Sequence, residues 1–89
     1  MPEPYSFGYR KHVEKILSKL EKRDQQQLIA IRNKIAEILI EPHKFKPLNV
    51  PMQGLRRVHI MKSFVLTYSI DESSRRVWIE DYDHHDNIY

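Results

Sequence analysis

The apolar residues of this chain change their spacing in mid-sequence, and that change limits the fold more than any other feature. Up to about residue 41 they recur every three or four positions, which is the period of an amphipathic helix. From residue 55 they alternate with polar residues, which is the period of a strand with one buried face. Helices that come before a run of strands are typical of the α+β class, in which the helices cover one face of the sheet.

Two helices are predicted before residue 42. The first covers roughly 10–22, and the second begins at Asp24, whose spacing to Gln27 is that of a capping box. Pro42 removes an amide donor and disfavours helix at the residue before it, so the second helix ends near residue 41. The two apolar stripes are Val13, Ile16, Leu17 and Leu20, then Leu28, Ile31, Ile35, Ile38 and Leu39. We therefore predict a helical hairpin with an apolar side that must be covered.

One strand is predicted before the helices and three after them. Residues 5–9 alternate aromatic with small side chains, which indicates a half-buried strand. Residues 42–54 contain three prolines and Gly54, and we interpret them as a long basic loop. The three later strands have short connections and therefore form an antiparallel meander. The order β-α-α-β-β-β predicts a single domain over 1–89 with two layers, an antiparallel sheet covered on one face by the helical hairpin.

Composition excludes several classes of protein. The 89 residues contain no cysteine, which excludes a disulfide scaffold, a thiolate metal site and a cysteine nucleophile. We see neither a signal-peptide pattern nor an apolar run near the roughly 20 residues that span a bilayer, so we expect a cytoplasmic protein with no membrane partner. Ten of the fifteen Lys and Arg, against six of the twelve Asp and Glu, lie in 1–51. That surplus permits a polyanionic partner without requiring one.

One face of the predicted meander gathers side chains that can do chemistry. If Val58 and Ile60 point to the helices, Arg57 and His59 point to the open face. Histidine exchanges protons near neutral pH, and arginine grips phosphate with a forked, permanent charge. With a second histidine from another segment, such a set could cleave RNA without a metal. One imidazole takes the proton of the 2′-hydroxyl, arginine holds the phosphate, and a second acid protonates the leaving oxygen.

Plainer interpretations of these residues stay open at this point. Polar residues are expected on the open face of a sheet without any function, and the residues alone indicate only a small α+β domain that is a candidate for RNA binding. Lys44 and Lys46 are solvated unless the partner is an anion, and Tyr89 can be frayed. A metal site made by residues 84–86 is disfavoured, because neighbours on an extended chain point opposite ways. We expect no metal and no cofactor.

Several segments, taken in order, resemble the RelE/ParE toxin superfamily. They are the opening Tyr-Ser-Phe strand, the closely joined helices, Gly-Leu-Arg-Arg-Val-His at 54–59, Val-Leu-Thr-Tyr at 65–68 and His-Asp-Asn-Ile-Tyr at 85–89. The spacing of the histidines is closer to the YafQ-like branch than to RelE itself. The resemblance implies a toxin of a type II toxin–antitoxin system, an mRNA interferase that cuts mRNA in the ribosomal A site. Its implied partners are a cognate antitoxin, the ribosome and mRNA.

The resemblance also implies roles for single residues. His59 and His85 match catalytic histidines of the YafQ-like branch, and Arg57 stands where RelE carries a catalytic lysine. Tyr89 matches the terminal aromatic that stacks on a base or orients the phosphate. We predict these four residues as the catalytic set. The residues predicted to contact RNA or the ribosome are Lys44, Lys46, Arg56, Lys62 and His84.

The chain departs from the family pattern at three positions. It has Val65 where RelE-like members often carry Arg, Ser63 where YafQ-like members carry Asp, and Val50 where they carry a further His. These missing polar groups motivate one alternative, a weakly active relative that acts mainly by binding an antitoxin. A ParE-like gyrase inhibitor is the other alternative. Codon preference, the identity of the antitoxin and the oligomeric state do not follow from the sequence.

Acidic residues in the last predicted strand bear on where RNA can dock. Glu80, Asp81 and Asp83 would repel RNA if they faced the site. The basic charge for docking on ribosomal RNA would then come from the helices and from the 42–47 loop.

Overall fold

A computed structural model describes residues 4–45, 47 and 54–84 of the chain. Its elements are β1 (Ser6–Tyr9), α1 (Lys11–Arg23), α2 (Gln25–Ile40), β2 (Leu55–Ile60), β3 (Phe64–Asp71) and β4 (Arg76–His84). These six elements follow the predicted order, and the α+β fold is confirmed. Neither α1 nor α2 is long and apolar enough to cross a bilayer.

The sheet has the strand order β1-β4-β3-β2. The pairs β2–β3 and β3–β4 are antiparallel, as the meander requires. However, β1 pairs in parallel with β4, from Ser6 opposite Arg76 to Tyr9 opposite Ile79. The sheet is therefore mixed, and the prediction of an antiparallel sheet is wrong for this one edge. Alternation within residues 5–9 indicates a strand but contains nothing about the direction of a partner some 70 residues away.

A single residue separates the two helices. Asp24 donates its amide N–H to the Leu20 carbonyl at 2.8 Å, which ends α1, and its carboxylate accepts the Gln27 amide at 3.0 Å, which starts α2. The Gln27 side chain donates to the same carboxylate at 3.1 Å. A capping box would direct Gln27 to the Asp24 amide, but that amide is already used by Leu20. The predicted cap is confirmed, with this one change of partner.

Both helices pack on the same face of the sheet. The buried residues of this core are Val13, Leu17, Leu28, Ile31, Ile35, Ile38, Val58, Ile60, Leu66, Tyr68, Val77, Ile79 and Tyr82. Two of them carry hydroxyl groups, and each hydroxyl has a hydrogen-bond acceptor, as buried polar groups require. Tyr82 donates to Gln27 Oε1 at 2.6 Å, and Tyr68 donates to the Pro42 carbonyl at 2.6 Å. These two bonds tie β4 to the start of α2 and β3 to its end.

We expect alkaline pH to destabilise the fold through these two phenols. Burial raises the pKa of Tyr68 to about 12 and also raises the pKa of Tyr82. The unfolded chain releases the Tyr68 proton near pH 10, before the folded chain does, so stability falls as the pH rises from about 10 to 12. Absorbance of tyrosinate and circular dichroism, recorded together, should show part of the ionisation only as the fold is lost.

The Tyr68→Phe variant supplies the control. It should lose about 1 kcal/mol of stability at neutral pH because the Pro42 carbonyl loses its donor, and its stability should depend less on pH above 10. Complete ionisation of all five tyrosines with an unchanged dichroism spectrum would contradict the expectation.

Candidate functional site

The face of the sheet away from the helices, called here the open face, carries Arg57 and His59. Val58 and Ile60 are buried toward the helices, with 7% and 2% of their surface exposed. Residues next to each other in a strand point to opposite faces, so Arg57 and His59 point the other way. The register of β2 against β3 is consistent with this orientation, since Arg57 lies opposite Thr67 and His59 lies opposite Val65. The prediction that these two side chains point to the open face is confirmed.

Arg57 and His59 are close enough to act on one phosphodiester. They lie two residues apart on β2, about 6.6 Å along the strand. His59 is exposed, whereas Arg57 is half-buried and its Nη1 atom is shielded from solvent. A half-buried guanidinium beside an exposed imidazole can hold a phosphate while the imidazole exchanges a proton.

Two carboxylates share the open face. Asp81 lies opposite Thr67 and Asp83 opposite Val65. The open face therefore has two rows across three strands: Arg57, Thr67, Asp81 and His59, Val65, Asp83. Each row spans two strand spacings, or about 9.6 Å between its basic and acidic ends. At this end of the sheet the open face is thus basic on β2 and acidic on β4.

A bulge in β4 puts these carboxylates on the open face. The register shifts between Thr67 and Tyr68, so Asp81 lies opposite Thr67 and Ile79 opposite Tyr68, and Glu80 is the extra residue between them. Without the bulge, alternation from the buried Ile79 would turn Asp81 toward the helices. The sequence analysis missed this feature. Its signal is the step of three residues from Ile79 to the next core residue, Tyr82, where a regular strand has a step of two.

The first two acidic residues have basic partners. Glu80 accepts hydrogen bonds from Arg10 Nε at 2.9 Å, Arg10 Nη2 at 3.0 Å and Ser69 Oγ at 2.6 Å. The Arg10 guanidinium holds the pKa of Glu80 below its usual value. Asp81 Oδ1 lies 3.2 Å from His12 Nε2. The negative charge nearest to β1 is therefore partly offset by residues at the start of α1.

Two residues predicted to contact RNA have partners away from the open face. Arg56 lies opposite the buried Tyr68, on the helix side, and its Nη1 donates to the Phe45 carbonyl at 2.7 Å. Lys44 Nζ lies 2.9 Å from Glu37 Oε1, and this carboxylate raises the pKa of Lys44. Both side chains stabilise the segment after α2. Contact of either one with RNA stays a prediction.

Lys62 and His84 occupy the end of the sheet where β2 finishes. Lys62 is exposed in the β2–β3 turn, where Met61 and Lys62 have φ of 51° and 72°. Positive φ at both central residues matches the twist of a tight hairpin, although Asn and Gly adopt it more readily. His84 lies opposite Phe64 on the helix-side face, and the two rings meet edge to face at 5.4 Å. Lys62 therefore lies two residues beyond the end of β2, the strand that carries His59, and His84 does not share the open face.

Three predicted site residues lie outside the described part of the chain. They are Lys46, His85 and Tyr89. Their predicted roles therefore stay predictions. Among the residues that are described, no group of three or more His, Asp or Glu side chains could hold a metal ion.

Two of the three positions that differ from the family pattern, Val65 and Ser63, lie in the described part of the chain. Val65 has no exposed surface, although it points to the open face. An apolar side chain therefore lies between His59 and Asp83, where an arginine would add a positive charge. Ser63 is exposed in the β2–β3 turn beside Lys62. Val50 lies outside the described residues.

The chain has close relatives in sequence. No family model matches it. A Methanocaldococcus jannaschii protein named "Putative toxin RelE4" is 47% identical over 96% of this chain and 90% of its own length. An uncharacterized protein of Methanosarcina mazei is 51% identical over 96% of this chain and 99% of its own length.

Solved structures agree with these relatives. In the complex of the toxin and antitoxin RelBE2 from Mycobacterium tuberculosis, one chain matches with a TM-score of 0.75 and 26% identity. That match covers 93% of this chain and all of the other. YafQ from Escherichia coli matches with a TM-score of 0.66 and 17% identity over 96% of this chain and 98% of its own, which shows the fold alone.

Removing the charge of Asp83 should strengthen binding of a polyanion to the open face. The Asp83→Asn variant keeps the size of the side chain and removes a negative charge about 9.6 Å from β2. We expect a several-fold lower Kd for single-stranded RNA at low salt, and a smaller gain at high salt because screening weakens the repulsion. Fluorescence anisotropy of a labelled oligonucleotide measures both.

Glu41→Gln is the matched control, since it removes the same charge from an exposed site at the end of α2. Equal gains for the two variants would show that net charge, and not the place of Asp83, governs binding.

Proposed function

This chain belongs to the RelE family of toxins, and on that basis we propose that it is a ribosome-dependent mRNA endonuclease of a type II toxin–antitoxin system. The observation that carries the proposal is the placement of Arg57 and His59 side by side on the open face. In this proposal one side chain binds phosphate and the other transfers protons.

Cleavage proceeds by attack of the 2′-hydroxyl on the adjacent phosphorus. His59 takes the 2′-hydroxyl proton as the new P–O bond forms, and Arg57 stabilises the negative charge that builds up on the phosphoryl oxygens. The P–O5′ bond breaks as a second acid, which we assign to His85, protonates the leaving oxygen. Tyr89 stacks on a neighbouring base. The products are a 2′,3′-cyclic phosphate and a 5′-hydroxyl, and no metal takes part.

The charge of the open face explains why this reaction would need the ribosome. Asp81 and Asp83 repel a free RNA strand that lies across β2, β3 and β4. A message already held in extended form can approach along β2, where Arg57 and His59 lie. Positioning of the substrate by the ribosome then replaces the binding energy that the open face lacks.

An antitoxin is the second proposed partner. The relative from Mycobacterium tuberculosis is a toxin–antitoxin complex, which supports a protein partner for this chain as well. A partner that inhibits by occlusion would cover Arg57 and His59. Such a partner could contact both the basic residues of β2 and the acidic residues of β4 on the open face.

A weakly active relative that mainly binds an antitoxin is favoured by one observation. Val65 and Asp83 occupy the row of His59, so this row offers no second cation to the scissile phosphate. Purified protein that binds a neighbour-encoded antitoxin tightly, yet leaves message on programmed ribosomes intact, would support this candidate. Mapping of cleavage on ribosome-bound mRNA separates it from the nuclease.

His59→Ala and Arg57→Gln should each slow cleavage on programmed ribosomes. Loss of a general base typically costs about 10²–10⁴-fold in rate, and loss of a preorganised contact to the developing charge about 10²–10³-fold. Primer extension under single-turnover conditions measures the rate at saturating protein.

His43→Gln is the matched control, because His43 is equally a histidine with an exposed side chain but lies beside Glu72, away from the open face. Cleavage at the wild-type rate by both the His59→Ala and the Arg57→Gln proteins would refute the proposed chemistry.

A further inference from the structure

The end of the open face away from the β2–β3 turn carries a tryptophan with two arginines over its ring. Trp78 and Arg76 alternate on β4 with the buried Val77 and Ile79, so both point to the open face. The guanidinium carbon of Arg76 lies 4.6 Å from the centroid of the Trp78 ring, and that of Arg10 lies 4.4 Å from it. The negative face of the ring attracts both cations. We call Arg76 and Trp78 the Arg76–Trp78 stack.

The neighbouring strand β1 leaves room for the Arg76–Trp78 stack. Gly8 lies opposite Trp78 in the register. A methyl group at Gly8 would lie 2.5 Å from Arg76 Nη2 and 2.8 Å from Trp78 Cζ3, which is too close for either atom to stay in place. Ser6, two residues earlier, accepts a hydrogen bond from Arg76 Nη1 at 3.4 Å. Both side chains of the stack therefore lie against β1, which restricts the guanidinium of Arg76.

Arg76 keeps hydrogen-bond donors for a ligand. A guanidinium that stacks on an aromatic ring uses its face, so the N–H groups in its plane stay available. Arg10, by contrast, donates to the Glu80 carboxylate at 2.9 and 3.0 Å, so its charge is already matched. The ion pairs found within the described ranges do not include Arg76. Of the two arginines over the ring, Arg76 is therefore the one that can bind an added anion.

The carboxylates at this end of the sheet are held by other groups. Asp71 lies opposite Arg76 on β3, and its Oδ1 atom accepts the hydroxyl of Ser73 at 2.7 Å and the amide of the same residue at 3.1 Å. The Glu72 carboxylate accepts the Tyr5 hydroxyl at 2.9 Å. These bonds draw both carboxylates into the β3–β4 turn and its surroundings, and neither one forms an ion pair with Arg76.

The Arg76–Trp78 stack and the candidate site lie on one diagonal of the open face. Arg57 lies opposite Thr67 on β3, and Arg76 lies opposite Asp71, four residues further along the same strand. Arg76 is therefore about 13 Å from Arg57 along the strands and about 9.6 Å across them, or about 16 Å in a straight line. Ser69 lies at the middle of this diagonal. An extended strand of RNA that leaves Arg57 along the diagonal reaches Arg76.

The diagonal avoids the carboxylates that face the candidate site. Asp81 lies level with Arg57, straight across the sheet. Asp83 lies further still from Arg76 along β4. Glu80 is closer, but its charge is offset by the arginine at the start of α1 that donates to it. A strand that follows the diagonal therefore meets less negative charge than one that crosses the sheet directly.

The chemistry of the diagonal suits a phosphate chain better than a protein. Protein interfaces depend on apolar and aromatic anchors that fill pockets. The exposed large apolar residues of the described chain are Phe7, Ile29, Ile40 and Met61. Phe7 lies opposite the buried Val77 and so points to the helix side, and the other three lie in α2 and in the β2–β3 turn. The open face thus offers forked cations without an exposed apolar anchor, a combination that favours phosphate.

We propose that Arg76 binds a phosphate of the message a few nucleotides away from the phosphate that is cut, so that the message crosses the open face along the diagonal. The ligand is the backbone of single-stranded RNA, bound without regard to its bases. This inference rests on the proposed function, since it gives the path of the same substrate. Trp78 and Gly8 are positioning residues, because they hold the guanidinium and do not themselves bind the phosphate.

The first test measures how RNA binding by the full chain depends on salt. Arg76→Gln removes the proposed contact, and Arg75→Gln removes the same charge from the neighbouring residue, which stacks on Tyr5. Fluorescence anisotropy of a labelled single-stranded oligonucleotide gives the slope of log K against log salt. Arg76→Gln should make this slope shallower by about 0.7, because each phosphate contact with a single strand contributes about 0.7. Arg75→Gln should keep the wild-type slope, and equal slopes for the two variants would overturn the inference.

Gly8→Ala tests the positioning role without changing any charge. The added methyl group displaces Arg76 Nη2 and the Trp78 ring, so we expect several-fold weaker RNA binding at low salt with an unchanged circular dichroism spectrum. In the Arg76→Gln background the same change should weaken binding no further. An equal loss in both backgrounds would show that Gly8 acts independently of Arg76, against the assigned role.

The second test locates the contact on the message. A single uncharged methylphosphonate replaces each phosphate near the cleavage site in turn, and cleavage of the ribosome-bound message is measured at subsaturating protein. With the wild-type protein, one replacement away from the cut phosphate should slow cleavage several-fold. Arg76→Gln should be insensitive to that replacement, whereas Arg75→Gln should respond as the wild type does. The same penalty with the wild-type and Arg76→Gln proteins would contradict the proposed contact.

Two further outcomes separate this inference from its alternatives. Weaker binding of the antitoxin by Arg76→Gln, with RNA binding unchanged, would indicate an acidic protein partner and overturn the inference. Wild-type protein whose RNA binding depends on Arg76 but which cuts no message would refute the proposed function and leave this inference standing.

Discussion

The single extra residue in β4 sets the orientation of the side chains that follow it in that strand. Because no residue of β3 lies opposite Glu80 in the register, the strand changes parity, so that Tyr82 enters the core while Asp81 and Asp83 reach the open face. Tyr82 then donates its buried hydroxyl to Gln27, next to the cap of α2. One local irregularity therefore determines which charges of β4 face the candidate site, and it places the hydroxyl that bonds β4 to the start of α2.

The distribution of charge differs between the two sides of the sheet. The open face presents a guanidinium and an imidazole on β2 and carboxylates on β4. This combination is compatible with the proposed cleavage of a message that the ribosome holds in place. Four exposed lysines lie on α1, on the other side of the sheet: Lys11, Lys15, Lys19 and Lys22. The proposed dependence on the ribosome rests on this mixed charge of the open face.

Much of the fold and part of the site follow from local patterns in the sequence. Helix bounds, the Asp24 cap and the parity of Arg57 and His59 depend on residues within a few positions of one another, and the structure confirms them. The parallel edge made by β1 and the bulge at Glu80 depend on partners distant in the chain, which periodicity does not encode. Arg56 is a further case in which the sequence does not reveal the partner. An arginine beside the candidate site suggests phosphate binding, but its guanidinium donates a hydrogen bond to the Phe45 carbonyl. The roles of His85 and Tyr89 stay predictions.

The junction at Asp24 has a mechanical consequence. Only Asp24 lies between α1 and α2, and it is hydrogen-bonded to both helices. The angle between the two helices is therefore tightly restricted. Asp24 is bonded to Leu20 and to Gln27, and Gln27 accepts the Tyr82 hydroxyl, so these hydrogen bonds connect α1, α2 and β4 in series. The helical hairpin is thus coupled to the strand that carries Asp81 and Asp83.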